Sequence, residues 1–274
     1  MSDIIRPLDA APGTTVLETR NLGKVYPNGT RALSGVSLAV RHDDFIVIIG
    51  SSGAGKSTFL RCLNRLVTPS CGEIRLDGEE ITRATGRELR RVRQQVGMIF
   101  QQFNLVRRLT VLENVLVGRL RFCATPLTYT GSLLRYFSEA ERELAFSLLK
   151  QVGIENLTYQ RADSLSGGQQ QRVAIARTLA QHPALFLADE PIASLDPKSS
   201  EIIMGLLRRI HEERGIPVVV NLHHIDFAKR YAKRIIGISG GGVVFDGPPG
   251  ELTDEIIEGI YGPHADEPSL AACA

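Results

Sequence analysis

The hydropathy pattern is built from short, continuous apolar runs and has no long ones. FIVIIG (residues 45–50), VGMIFQ (96–101), ALFLAD (184–189), VVVNL (218–222) and RIIGI (234–238) are all strand-sized. The first is apolar throughout, β-branched from Ile46 to Ile49 and without a polar face, the pattern of a strand buried on both sides. Stretches with helical spacing lie between the runs, KSTFLRCLNRLV after the first and a glycine-rich loop, and QQQRVAIARTLAQ before the third. Strands alternating with helices predict an α/β fold whose parallel sheet is covered on both faces.

Two other regions break that alternation. Mixed apolar and polar runs at 16–26 and 32–40 flank Pro27-Asn28-Gly29, and Asn-Gly between strand-like runs is a hairpin signal. GEIRLDGEEI (72–81) adds further short strands, followed by a basic helical stretch. Residues 110–153 are helical in pattern, with a Pro- and Thr-containing interruption at 123–131, and predict a helical subdomain inserted into the sheet domain at about 102–170. A last helical stretch at 249–261 closes the fold. Residues 1–15 read as a flexible tail and 263–274 as a disordered one. No internal repeat is visible.

Composition narrows the class only a little. The 274 residues, 43% hydrophobic and 23% charged, suit one large domain or two small ones with a real core. Lys+Arg 32 against Asp+Glu 30 is too balanced to argue for nucleic acid or an anionic membrane. The N-terminus carries acids and lacks the apolar run of a secretory signal, and no run is long enough to span a membrane. Cys62, Cys71, Cys123 and Cys273 share no metal-site spacing and read as reduced bystanders.

Three segments carry chemistry. Gly50, Ser51, Ser52, Gly53, Ala54, Gly55, Lys56, Ser57 and Thr58 form a glycine-rich loop directly after a buried strand and before a helix. Glycines let the backbone curl so that several N–H groups converge on one anion at the positive end of the helix. Lys56 adds a charge for the β- and γ-phosphates of a nucleotide, and the Ser57 hydroxyl can ligate Mg²⁺. Asp189 and Glu190 end a second apolar strand. Successive strand residues diverge, so Asp189 suits the Mg²⁺ shell and Glu190 suits orienting and deprotonating an attacking water. Ser166, Gly167, Gly168 and Gln169 open a helix, with Ser166 as its cap, and make a second anion site without a lysine.

The order GSSGAGKST, FQQ, LSGGQ, LADEP, SLD and a late histidine resembles the nucleotide-binding subunit of an ATP-binding-cassette (ABC) transporter, over roughly residues 16–262. That resemblance implies a P-loop NTPase fold, a RecA-like mixed sheet core with an antiparallel β subdomain and an inserted α-helical subdomain, with ATP and Mg²⁺ as cofactors. It places Tyr26 on adenine, Gln101 on Mg²⁺ in the loop that senses the membrane partner, and Asp196 in the D-loop. His223 is the switch histidine by its distance from Ala228, with the adjacent His224 as rival. Ile192 departs from the small polar residue common after the Glu-Pro pair and is expected to alter dimer contacts without removing a catalytic group.

The resemblance also implies how such a chain works. In the family, the LSGGQ segment of one chain closes over the phosphate loop of another in a head-to-tail homodimer. Two membrane permease subunits and a periplasmic or extracellular solute-binding protein complete the machine, and the ATPase sits peripherally on the cytoplasmic face of the cell membrane, without nucleic acid. A soluble ABC ATPase would call for two cassettes or a long coiled coil. A non-hydrolysing switch would lack Glu190 or LSGGQ. The importer is favoured over both. VVVNLHHIDFAKRYAKRIIGI and the long segment between Val117 and Leu144 are most similar to phosphonate-importer ATPases, with phosphate, phosphite or another oxyanion as runners-up.

Overall fold

The Asn-Gly turn joins the first two strands where the pattern places it. β1 (Thr15–Val25) and β2 (Arg31–Arg41) pair antiparallel. Between them the Tyr26 N–H donates to Thr30 O and the Gly29 N–H to Tyr26 O, both at 2.9 Å, with Gly29 at φ +83°. β1 also pairs with β4 (Cys71–Leu76), which pairs with β5 (Glu79–Glu80), giving a four-stranded antiparallel sheet. The computed structural model describes residues 13–122 and 137–262. The expected interruption at 123–131, most of the N-terminal tail and all of the C-terminal tail lie outside the described residues, whereas Thr15 already opens β1.

The apolar runs form the second sheet. β3 (Phe45–Ile49), β6 (Val96–Ile99), β7 (Leu185–Asp189), β8 (Val218–Asn221) and β9 (Arg234–Ser239) run parallel in the order β9-β3-β8-β7-β6. A tenth strand, β10 (Gly242–Gly247), pairs antiparallel on the β9 edge. The sequence pattern does not announce it, because GVVFDG is glycine-bounded and half-exposed, as edge strands are.

Side chains on these strands alternate between two core layers, as the period of two requires. Phe45, Val47, Ile49, Phe186, Ala188, Val218 and Val220 face one layer. It is completed from α3 (Val111–Val117), α4 (Glu139–Gln151), α5 (Gly167–Leu179), α6 (Pro197–Arg214) and α7 (Ile225–Tyr231). Ile46, Ile48, Leu185, Leu187 and Val219 face the other layer, with α1 (Lys56–Leu63), α2 (Gly86–Gln95) and the inner face of the antiparallel sheet. A last helix, α8 (Asp254–Tyr261), follows β10. Among the described residues no helix is long and apolar enough to cross a membrane.

The cysteines correct one expectation. Cys62 is a buried free thiol whose pKa burial pushes up to about 12, which leaves it unreactive. Cys71 is disulfide-bonded and so is not a reduced bystander.

The strand order sets the site. β3, β8 and β7 are neighbours, and the register aligns Ile48 with Asn221 and Asn221 with Asp189. The end of the phosphate-loop strand, an asparagine and the first carboxylate therefore meet at one sheet edge, where parallel sheets bind ligands.

Candidate active site

The loop after β3 is held by close backbone approaches that only glycine permits. A Cβ on Gly50 would come within 2.2 Å of Ile238 O, and one on Gly55 within 2.2 Å of Ala32 O. Gly55 also takes φ +105° as the N-cap of α1. Lys56 is buried, and its Nζ donates to Gly50 O at 2.7 Å and Ser51 O at 2.9 Å. Burial lowers its pKa, opposed by the nearby Glu190 and Asp189 carboxylates. An ammonium is thus stored inside a turn of backbone at a helix start, beside N–H groups with no helical partner.

A cleft of about 340 Å³ opens over this loop, lined by Tyr26, Thr30, Ala32, residues 52–58, Glu190 and His223. At one wall the Tyr26 hydroxyl lies 3.2 Å from Thr58 Oγ1, and Lys24 Nζ lies 5.2 Å from the Tyr26 ring centroid.

The two carboxylates separate as the strand geometry requires. Asp189 is buried: its Oδ1 accepts from Ser57 Oγ at 2.7 Å and from Asn221 Nδ2 at 2.9 Å, and its Oδ2 from Arg61 at 3.1 Å. Glu190 leaves the strand in the left-handed region, φ +51°, a conformation costing a non-glycine residue about 1–3 kcal/mol. Its N–H donates to Asn221 O at 3.2 Å, and its Oε1 lies 2.7 Å from His223 Nε2. His224 is not in the cleft lining; its ring sits edge-on to Phe227, with centroids 6.1 Å apart. Of the two adjacent histidines, His223 is the one brought to Glu190.

Within one chain the other expected residues lie elsewhere. Gln101 does not line the nucleotide cleft; it lines a second cleft, of about 430 Å³, with Phe103, Asn104, Gln170 and Ser194. Ser166 caps α5 in a reciprocal box with Gln169, and Gly167 and Gly168 form its first turn. Asp196 caps α6 through the Ser199 N–H, and its carboxyl sits below the usual range chiefly because of its hydrogen bonds to Ser199. The two helix starts are packed together, since a Cβ on Gly168 would meet Ser199 Oγ at 2.8 Å. The side chain of Ile192 is buried in the core.

Two buried residues make contacts at the site that the sequence pattern does not give. Gln171 donates to Pro191 O at 2.9 Å, tying α5 to the turn after Glu190. Asn221 donates to both Asp189 and Ser57, the latter at 3.2 Å, while its Oδ1 is buried without a partner among the described residues. Such an orphan acceptor costs about 1–3 kcal/mol. The signal for Asn221 was a lone polar residue inside the apolar run VVVNL.

The donor set fits a magnesium ion shared with phosphates. Among the described residues no three His, Cys, Asp or Glu side chains gather as a metal cage. Ser57 Oγ stands between the loop and a buried carboxylate, and one hydroxyl with one carboxylate is the short protein set that Mg²⁺ takes beside a nucleotide.

Fold and cleft together define a P-loop nucleotide-binding cassette. A family model described as ABC transporter matches residues 33–193, and the chain belongs to that family as an ATP-binding domain. It is 51% identical over 246 residues to "Phosphonates import ATP-binding protein PhnC 2" of Halalkalibacterium halodurans, covering 90% of this chain and 99% of that one. It is 52% identical over 247 residues to "Phosphonates import ATP-binding protein PhnC" of Bacillus anthracis, covering 90% and 95%. Among solved structures it is similar to a dimeric ATP-binding cassette in a post-hydrolysis state bound to ADP and Pi, with TM-score 0.73, 36% identity and coverage of 85% and 98%. It is also similar to cbiO1 from Clostridium perfringens, part of the ABC transporter complex cbiONQ, with TM-score 0.76, 29% identity and coverage of 89% and 92%.

Proposed function

We propose that this chain is the ATP-hydrolysing subunit of a membrane importer for phosphonates. The observation that carries the ATPase assignment is the 2.7 Å pair of Glu190 and His223 in the same cleft as Lys56 and Ser57. Binding uses the loop N–H groups and Lys56 on the β- and γ-phosphates, with adenine against Tyr26. Glu190 orients a water in line with the γ-phosphate and takes its proton as the new P–O bond forms and the bond to the β-phosphate breaks, releasing ADP and phosphate. His223 holds the Glu190 carboxylate and reaches the γ-phosphate. Ser57, with Asp189 behind it and Gln101 from the neighbouring cleft, would hold Mg²⁺, which when bound offsets the phosphate charge.

One chain supplies half of this machine. Residues 166–169 of a second copy close over residues 50–58 of the first, with Asp196 at the junction, so ATP bridges a head-to-tail homodimer and hydrolysis releases it. The dimeric state of a similar cassette bound to ADP and Pi supports this arrangement. The helices between β6 and β7 act as the inserted subdomain within an ABC domain spanning 16–262. The dimer sits peripherally on the cytoplasmic face of the membrane, on two permease subunits fed by a solute-binding protein.

Kinship with the phosphonate-import ATP-binding proteins supports the substrate. The test is the ATPase rate of the assembled transporter with its receptor loaded in turn with phosphonate, phosphate, phosphite, an amino acid or a sugar. The phosphonate-loaded receptor is expected to stimulate most. Stimulation by an amino acid or sugar instead would overturn the assignment.

A further inference from the structure

Asn221 stands at the last position of β8, aligned in register with Ile48 on one side and Asp189 on the other. It is fully buried, and both of its amide contacts are oxygens of the metal-binding pair: Asp189 Oδ1 at 2.9 Å and Ser57 Oγ at 3.2 Å. The amide cannot be turned over, because its oxygen would then face a carboxylate oxygen at hydrogen-bond distance. In the orientation present, the donor end serves the site and the acceptor end is left buried and without a partner among the described residues. An apolar residue, like the three before it in this strand, would fill the position without stranding an acceptor.

The contacts fix the state of the Ser57 hydroxyl. A serine hydroxyl has one proton and two lone pairs. The Asn221 N–H occupies one lone pair and leaves the proton nowhere to go but Asp189 Oδ1, 2.7 Å away. The second lone pair stays free for a cation. We propose that Asn221 is a positioning residue that presets Ser57 and Asp189 for the divalent cation, so that it governs metal affinity and leaves nucleotide affinity alone. This rests on the MgATP assignment of the cleft and extends it to a residue outside the phosphate loop and the carboxylate strand. Groups that orient metal ligands typically change metal affinity 10–100-fold when removed.

The test uses the full-length protein, Mn²⁺ as a paramagnetic stand-in for Mg²⁺, and ADP at saturation, with free Mn²⁺ read by electron paramagnetic resonance. A fluorescent ADP analogue measured in chelator gives the metal-free nucleotide affinity. Asn221→Leu keeps the branched shape and removes both donors; Asn221→Thr returns one. The expected order is a Mn²⁺ dissociation constant raised at least tenfold in Asn221→Leu, restored to within about threefold of wild type in Asn221→Thr, with metal-free ADP affinity unchanged within about twofold. A wild-type Mn²⁺ affinity in Asn221→Leu overturns the proposal. So does loss of metal-free ADP binding in both variants, which marks Asn221 as merely structural. A wild-type protein that binds no Mn²⁺ with ADP overturns instead the MgATP assignment on which the proposal stands.

Discussion

Glu190 Oε1 and His223 Nε2 lie 2.7 Å apart, joined across 33 positions of sequence by the adjacency of β7 and β8. The Glu190 N–H is held by Asn221 O, two residues before that histidine, so one strand end fixes both the backbone of the acid and its side-chain partner. His223→Ala is expected to lower kcat about 10²-fold or more with little change in KM for ATP, the scale of losing a group that acts around proton transfer. His224→Ala, outside the cleft, is expected to stay within about twofold of wild type. Steady-state ATPase kinetics on both variants check the pair, and equal losses would contradict the assignment.

The loop glycines differ in what they tolerate. Gly50→Ala places a methyl group against the Ile238 carbonyl, on fixed sheet backbone, and is expected to cost more than about 2 kcal/mol in denaturant unfolding. Gly53, at φ +83° with open space around it, meets only the backbone penalty, so Gly53→Ala is expected to cost about 1 kcal/mol. A reversed order would mean that the close approach of Gly50 to β9 does not shape the loop.

His211, in the last turn of α6, gives a pH signature far from the cleft. Its Nδ1 lies 2.9 Å from Ile216 O, so that nitrogen carries the proton, and its bare Nε2 accepts from Lys233 Nζ at 2.9 Å. Burial lowers its pKa first, and the Lys233 charge lowers it further, against the raising effect of the Ile216 carbonyl. The folded pKa lies below the unfolded one, so the unfolded chain takes up the proton first as pH falls. The stabilisation is therefore present above the unfolded pKa of about 6.5 and is lost as pH falls through the folded one. Thermal melts at pH 7.5 and 5.5 are expected to show a larger drop for wild type than for His211→Gln. Parallel drops would assign the pH dependence elsewhere.

What was legible in the sequence was whatever periodicity or dense spacing encodes. FIVIIG, ALFLAD and VVVNL announced strands because a strand buried on both faces must be apolar throughout, and the loop at 50–58 announced itself because close backbone approach demands glycine. Residues whose role comes from tertiary neighbours stayed hidden. Asn221 and Gln171 are single polar residues whose partners, Asp189 and Pro191, become near only once the strand order is fixed. Ile192 stands out in the sequence by its place after the Glu-Pro pair, but its packing into the core follows only from the turn after Glu190. Gln101 and residues 166–169 belong to the phosphate site by resemblance, while within a single chain none of them lines the cleft over residues 52–58.

That separation makes dimerisation the centre of the account, and Glu190→Gln isolates it. The substitution keeps the shape of the side chain and removes the base, so a bound ATP should persist and hold two copies together. Light scattering on Glu190→Gln at saturating MgATP measures this directly. A stable dimer that reverts to monomer when ADP replaces ATP is expected; monomer alone at saturating MgATP would contradict the head-to-tail pairing.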